Sequence, residues 1–371
     1  MGGNALKNTN TVRVTTETLN RVVERLTEYF EVNYPMLQVE PVKSYGSKET
    51  HGDLDLLYSV KPEFSTVTTV TTVHFTHFVD DYIKMLTEKN LEYKGNVLSF
   101  PYDLGDGTYL QVDLIRTRPE IFEMSQCYFN YNDLSNLLGR MTKKLGFKLG
   151  HDGLSYIERD GDYIITDEVF SVNYYDALEF LELDVEKYKS GFNTLEELFE
   201  YVASSPYFNP DIYLLHNRNH VSRVRDKKRK TYNLFLKWCE ENNDNLNHYP
   251  YNNTNDYDGY GSANNIQETF IKKLFEKYPL LAYKNLQNRA KYILDKNFKN
   301  YFNGVVVKDF IEKETGKVIE GKELGYYMKR IKFSNVNTTD KKIETIKNKK
   351  YTFSDELAEY LDIYGKNQGN I

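Results

Sequence analysis

Two cysteines and a single tryptophan among 371 residues are the first things this chain has little of. Cys127 and Cys239 are too few for a disulfide framework or a Cys-based zinc site, which excludes the small stapled domains and fits a reducing compartment. No stretch reaches eighteen uninterrupted apolar residues, so no membrane-spanning helix is expected, and the polar start, Met1 to Arg13, lacks the apolar core of a secretory signal. A soluble, cytoplasmic protein is the expectation. No internal repeat stands out, and the moderate, uneven positive charge falls far short of the dense basic footprint of a dedicated nucleic-acid binder.

What is present is folded-protein composition: 40% apolar, 27% charged and 15% aromatic residues, with 32 Tyr. A disordered chain is excluded as the main reading, and two domains is the expectation for this length. The net charge of -6 is unevenly placed. Residues 1–200 hold 19 Lys and Arg against 33 Asp and Glu, whereas residues 201–371 hold 29 against 21. A basic C-terminal half is compatible with holding a phosphate backbone. The Asn, Lys and Tyr skew suggests an AT-rich genome, such as that of a phage or other virus, whose host cytoplasm would then be the location.

Leu19, Val22, Val23, Leu26 and Phe30 recur at helical spacing before Pro35. Val39 to Tyr45 reads as an edge strand because it contains Pro41. Asp53 to Val60, Leu91 to Phe100 and Tyr109 to Ile115 read as further strands, and Phe75, Phe78, Val79, Tyr82, Ile83 and Leu86 form the seam of a second helix. Leu134, Leu137, Leu138, Met141 and Leu145 mark a helix stopped at Gly146, with Arg140, Lys143 and Lys144 on its other side. A hairpin turning at Asp160 and Gly161 follows, then a helix carrying Leu195, Leu198, Phe199 and Val202 behind the capping-box pair Thr194 and Glu197, and helices near 222–241, 266–278, 281–297, 323–333 and 354–363. Residues 242–265 read as a mobile Asn/Tyr-rich loop. The expected division is an arm (1–15), an α+β catalytic domain with a mixed sheet (16–172) and a mainly helical domain (173–371).

The informative run is Ser44 to Leu57. On a strand, Asp53 and Asp55 project to one face while Leu54, Leu56 and Tyr58 enter the core. A Gly46-Ser47 turn just upstream can bring backbone N–H groups to phosphate oxygens. Asp113, on a strand whose Leu110, Val112 and Leu114 face the other way, is a candidate third carboxylate. Converging carboxylates suit hard cations, and a pair of such ions can clamp both oxygens of an in-line phosphoryl displacement.

Gly46-Ser47, Asp53-Leu54-Asp55 and Asp113 resemble, in kind and order, the pattern of the DNA polymerase β-like nucleotidyltransferase superfamily. The resemblance covers roughly residues 20–120. It implies a nucleotidyltransferase palm that transfers a nucleoside monophosphate from a nucleoside triphosphate to a hydroxyl, with Asp53, Asp55 and Asp113 catalytic and holding two Mg²⁺ ions. Gly46, Ser47 and Lys48 would face the triphosphate; Arg140, Lys143 and Lys144, at i, i+3 and i+4 on one helix, read either as a face that approaches the triphosphate or an acceptor backbone or as a solvated surface face. Only five residues separate Ser47 from Asp53, fewer than the family usually has, so the helix after Gly-Ser is expected to shrink to about one turn.

In the tail, Phe302-Asn303-Gly304 and Gly321-Lys322-Glu323-Leu324-Gly325, with Tyr327, Met328 and Ile331, resemble the helical body of CCA-adding enzymes and bacterial poly(A) polymerases. That resemblance implies an RNA 3′ end as acceptor; the same residues also read as a plain core stripe. A protein or small-molecule acceptor, or an inactive palm that binds RNA, are the alternatives. The run Arg223, Arg225, Lys227, Lys228, Arg229 and Lys230, followed by Tyr232, Phe235 and Trp238, reads either as a nucleic-acid grip or as a basic surface over a helical core stripe. His216 with His220, and His151-Asp152, lack the partners of a metal site and read as surface or turn residues.

Overall fold

The structure, a computed structural model, describes residues 5–7, 9–65, 91–161, 163–251, 265–301 and parts of 303–325. The expected helix at 75–86, most of the 242–265 loop, the tail residues Tyr327, Met328 and Ile331 and the helix at 354–363 lie outside them.

A short strand β1 (Val14–Thr15) leads into α1 (Thr16–Asn33), where the Thr15 hydroxyl accepts the Thr18 N–H and so satisfies a first-turn donor. Tyr34 and Pro35 end the helix. Strands β2 (Leu37–Pro41), β3 (Thr50–His51) and β4 (Asp53–Val60) follow, then the one-turn α2 (Pro62–Ser65). After these come β5 (Glu92–Lys94), β6 (Val97–Asp103) and β7 (Tyr109–Arg116).

The main sheet has the order β2-β4-β7-β6-β5. β4 and β7 run parallel at its centre, and every other neighbouring pair is antiparallel. Pro41 ends an edge strand, where its missing N–H costs no ladder bond. The expected strand at 91–100 is instead two strands folded back at Gly95, whose φ of 62° only glycine adopts readily. Alternation sends Leu54, Leu56, Tyr58 and Val60 of β4, and Leu110, Val112 and Leu114 of β7, into one core with Val22 and Phe30 of α1.

Beyond the sheet come α3 (Phe122–Phe129), which packs on β4, and α4 (Leu134–Lys144), stopped at Gly146 with φ 99°. A three-stranded sheet, β8 (Phe147–Gly150), β9 (Gly153–Asp160) and β10 (Tyr163–Ser171), has the order β10-β9-β8. His151 and Asp152 form the turn between β8 and β9, and Gly161 turns the expected hairpin. Next are α5 (Tyr174–Phe180), α6 (Val185–Ser190), α7 (Leu195–Ala203), α8 (His220–Asp226) and α9 (Lys230–Glu241). The expected helix at 222–241 is thus broken between Asp226 and Lys230, where the Arg229 N–H turns back to the Asp226 carbonyl at 3.0 Å. Last come α10 (Asn265–Lys277) and α11 (Pro279–Tyr301), with Pro279 at the first helical position, where its missing N–H is harmless.

A second core gathers Leu134, Leu137, Leu138 and Met141 of α4 with Leu198, Phe199 and Val202 of α7 and Tyr232 and Phe235 of α9. Tyr232 and Phe235 are therefore core, and Trp238 packs partly buried against them. Arg140 is a correction: it does not share a solvated face with Lys143 and Lys144 but is buried, donating Nη2 to the Ile212 carbonyl at 2.7 Å. In the basic run, buried Asp226 takes Arg218 at 2.8 Å and Arg225 at 2.9 Å, while Arg229 pairs with Asp133.

The chain divides into two compact units, residues 1–157 with 169–272, and 158–168 with 273–371. In the second, the hairpin tip is tied to α11 through Thr166–Asn285 (2.7 Å), Lys284–Glu168 (2.9 Å), Arg289–Glu158 (2.8 Å) and Lys296–Asp160 (2.7 Å). Among the described residues, no helix is long and apolar enough to cross a membrane.

Candidate metal centre

The parallel pairing of β4 with β7 sets Asp55 opposite Asp113, and Asp53 opposite Gln111. Because alternate residues share a face, all three carboxylates leave the sheet on one side. One oxygen from each lies within 4.8 Å of the others, and all three residues are half-buried. The sequence reading of these three positions therefore describes a real juxtaposition.

Burial, then the charges of Asp53 and Asp113, push Asp55 from the usual 3.8 up to about 7. Asp113 is also raised, chiefly by burial, against which the hydrogen bonds from Ser99 and Gln111 work. Lys48 is the counter-charge: burial lowers its pKa, and Asp53 and Asp55 pull it back up. Three hard oxygen donors suit Mg²⁺, Mn²⁺ or Ca²⁺. The rise at Asp55 comes first from burial and then from the neighbouring carboxylates, and a divalent cation among the three would oppose both effects. The residues present fit such an ion.

Upstream, the Gly-Ser element differs from expectation. Gly46 and Ser47 form a bare turn with no helix after them. Their N–H groups do not face an open phosphate site: Gly46 donates to the Phe192 carbonyl at 2.9 Å and Ser47 to the Asn193 carbonyl at 2.7 Å. Five residues are too few to turn a helix and still reach the start of β4, so the turn's donors are satisfied by a neighbouring loop instead. A Cβ at 46 would sit 2.7 Å from Asn193 Oδ1 and 3.5 Å from its Cα, so a side chain there requires the Asn193 amide to turn aside. The turn is pinned from the other side by Thr16, whose hydroxyl bonds the Lys48 carbonyl and lies 3.0 Å from His51 Nε2. His51 is buried, and burial together with the Lys48 charge drops its pKa to about 4, so it is neutral at pH 7.

Beside the turn lies a cleft of about 720 Å³ lined by Lys43, Lys48, Lys187 and Lys189, with Tyr45, Tyr131 and Phe192 among its rings. Lys187 pairs with Glu197 at 3.5 Å and Lys189 with Glu186 at 2.8 Å, all four side chains at least a third exposed. Sequence reasoning missed this loop, since 187–193 carries no motif and meets the turn only through the fold. Lys143 and Lys144 end α4, which packs on β8 and α7.

No protein-family model matches the sequence, and no curated protein matches it. Among solved structures, Leishmania infantum polymerase beta, crystallised as a ternary gap complex, is similar at a TM-score of 0.34 and 14% identity, over 40% of this chain and 52% of that one. The chain thus spans about half the length of that polymerase. The three carboxylates, rather than this distant likeness, give the site a donor set that could hold a metal ion.

Proposed function

We propose that the protein is a divalent-metal-dependent nucleotidyltransferase that moves a nucleoside monophosphate from a nucleoside triphosphate to a terminal hydroxyl, with an RNA 3′ end as acceptor and no template. The observation that carries this reading is the register that sets Asp55 against Asp113 with Asp53 alongside. Two Mg²⁺ ions, when bound, would supply charge neutralisation for the triphosphate and activation of the acceptor hydroxyl.

The chain's own contribution is division of labour. Asp53 and Asp55 hold the shared ligand positions, and Asp113 stands on the acceptor side. Ser99 and Gln111 keep Asp113 oriented and ionised by donating to it. Lys48 supports the cluster by opposing its charge and also lines the neighbouring cleft. The triphosphate tail is held by Lys43, Lys48, Lys187 and Lys189 rather than by the amides of Gly46 and Ser47, which are already bonded. Tyr45, Tyr131 and Phe192 offer rings on which a base can stack. The catalytic part, 16–172, accordingly draws on residues 187–193 of the helical part that follows.

The test mixes purified protein, Mg²⁺, radiolabelled nucleoside triphosphates and bulk tRNA or oligo(A). Labelled RNA that disappears with EDTA and with Asp53→Ala is the expected result. Labelled protein bands without labelled RNA would move the acceptor to a protein side chain, and no label anywhere would defeat the proposal.

A further inference from the structure

Gln111 lies two residues before Asp113 on β7, so the two side chains leave the same face of the strand. It is only 2% exposed, yet its amide is fully engaged. The amide nitrogen donates to both oxygens of Asp113, at 2.9 Å to Oδ1 and 3.1 Å to Oδ2. The amide oxygen accepts the backbone N–H of Ala5 at 2.9 Å. A backbone N–H can only donate, so that bond fixes which end of the amide is oxygen and obliges the nitrogen to face the carboxylate.

The segment that supplies this N–H is itself docked on the same strand. Val12 donates to the Tyr109 carbonyl at 2.9 Å, Tyr109 returns a bond to the Asn10 carbonyl at 3.1 Å, and Leu6 is buried at 3% exposure. Ala5 is thereby held by a packed side chain beside it and by a strand pairing a few residues on.

We infer that the N-terminal arm, residues 5–12, acts on the carboxylate cluster through Gln111, a positioning residue whose amide is oriented by Ala5 and in turn orients Asp113. The inference rests on the metal-centre reading above and adds to it a relay that reaches Asp113 from the N-terminal arm through the Gln111 amide. A carboxylate on one rotatable bond can turn both oxygens away from a shared ion. Donors on both oxygens restrict that rotation, and outer partners of this kind are commonly worth 10- to 100-fold in metal affinity. Ser99, across the ladder from Asp113, donates to the same carboxylate, so loss of Gln111 leaves one support in place and the expected effect is at the low end of that range.

The experiment measures Mn²⁺ affinity by titration calorimetry at fixed pH on the full chain, with melting midpoints in EDTA alongside. Gln111→Met keeps the length and removes all three bonds, Ala5→Pro removes the N–H while fixing φ at that position, and the third protein carries both changes. Gln111→Met should weaken Mn²⁺ binding about tenfold. Ala5→Pro should weaken it about threefold, the net worth of one hydrogen bond. The double variant should be no weaker than Gln111→Met alone, because both changes act through the same amide. For nucleotide transfer, kcat should fall with the KM for the triphosphate unchanged. Wild-type Mn²⁺ affinity in Gln111→Met would overturn the relay while leaving the proposed function standing, and so would losses that multiply in the double variant. Should Gln111→Met fail to fold, Ala5→Pro decides alone: unchanged affinity there refutes the role of the arm. If the unaltered protein does not bind Mn²⁺, the metal centre and the relay fall together.

Discussion

Replacing Asp55 with Asn should make the protein more stable and inactive at once, by an amount that depends on pH. In the folded chain the Asp55 carboxyl titrates near 7 rather than near its usual 3.8. Its folded-state pKa is raised, so the stability associated with its proton is complete below 3.8 and is lost as pH rises through 7. At about 1.4 kcal/mol per pH unit, the gap between 3.8 and about 7 corresponds to on the order of 4 kcal/mol against the folded state above neutrality. About 3 kcal/mol of this falls between pH 5 and pH 8. Asn has the same shape and no charge, so it escapes the penalty. His51 works in the opposite sense: its pKa is depressed to about 4, and its contribution is lost as pH falls from 6.5 towards 4. The wild-type curve mixes these two with the shifts at Asp113 and Lys48, and the difference between wild type and Asp55→Asn reports the Asp55 carboxylate together with its coupling to those neighbours. Thermal melts in EDTA should show Asp55→Asn gaining on wild type by on the order of 5 °C or more between pH 5 and pH 8. Millimolar Mg²⁺ at pH 8 should raise the wild-type midpoint and leave the variant nearly unmoved, since only the former retains the full ligand set. A gap that stays constant from pH 5 to pH 8, or narrows, would refute the reasoning.

Gly46→Val should cost about 1–3 kcal/mol in urea unfolding and impair nucleotide transfer, because its Cβ displaces the Asn193 amide and its branched methyl groups crowd a neighbour whose Cα lies only 3.5 Å from that Cβ. Wild-type stability would show that the close approach is not needed. Asp226→Asn leaves buried Arg218 without its counter-charge and should cost about 3–5 kcal/mol by the same assay. A loss under 1 kcal/mol would mean the pair is dispensable. Lys187→Ala and Lys189→Ala should each raise the dissociation constant for a nucleoside triphosphate only two- to fivefold, about 0.5–1 kcal/mol, since both ammonium groups are solvent-accessible. Unchanged binding in the double variant would remove the lysine cleft as the triphosphate site.

Local pattern was enough to read the centre of the sheet. The alternation along Asp53–Val60 and Tyr109–Arg116 put the apolar residues inward and the aspartates on the other face, and the pairing that aligns Asp55 with Asp113 followed. Gln111 was readable by the same rule, two residues before Asp113, though only the fold shows Ala5 directing it. Elsewhere the deciding partner is remote in sequence. Arg140 looks like one of three surface cations until Ile212 offers it a carbonyl. The Gly46-Ser47 amides look available to phosphate until residues 192 and 193 occupy them. The 91–100 segment failed for a local reason: Lys94-Gly95-Asn96 is a hairpin turn inside an otherwise continuous β-forming run.

The bonds from Gly46 and Ser47 to Phe192 and Asn193 also set an order of events at birth. At roughly 5–20 residues per second, a ribosome delivers residue 193 some 4–16 s after residue 113. In that interval a nascent chain can pair its central strands and bring the three acids together while two backbone donors beside them still bond only to water. The last piece of the site to arrive is a loop without a recognisable motif, and a synonymous slowdown upstream of it would lengthen the half-finished stage without altering a single residue.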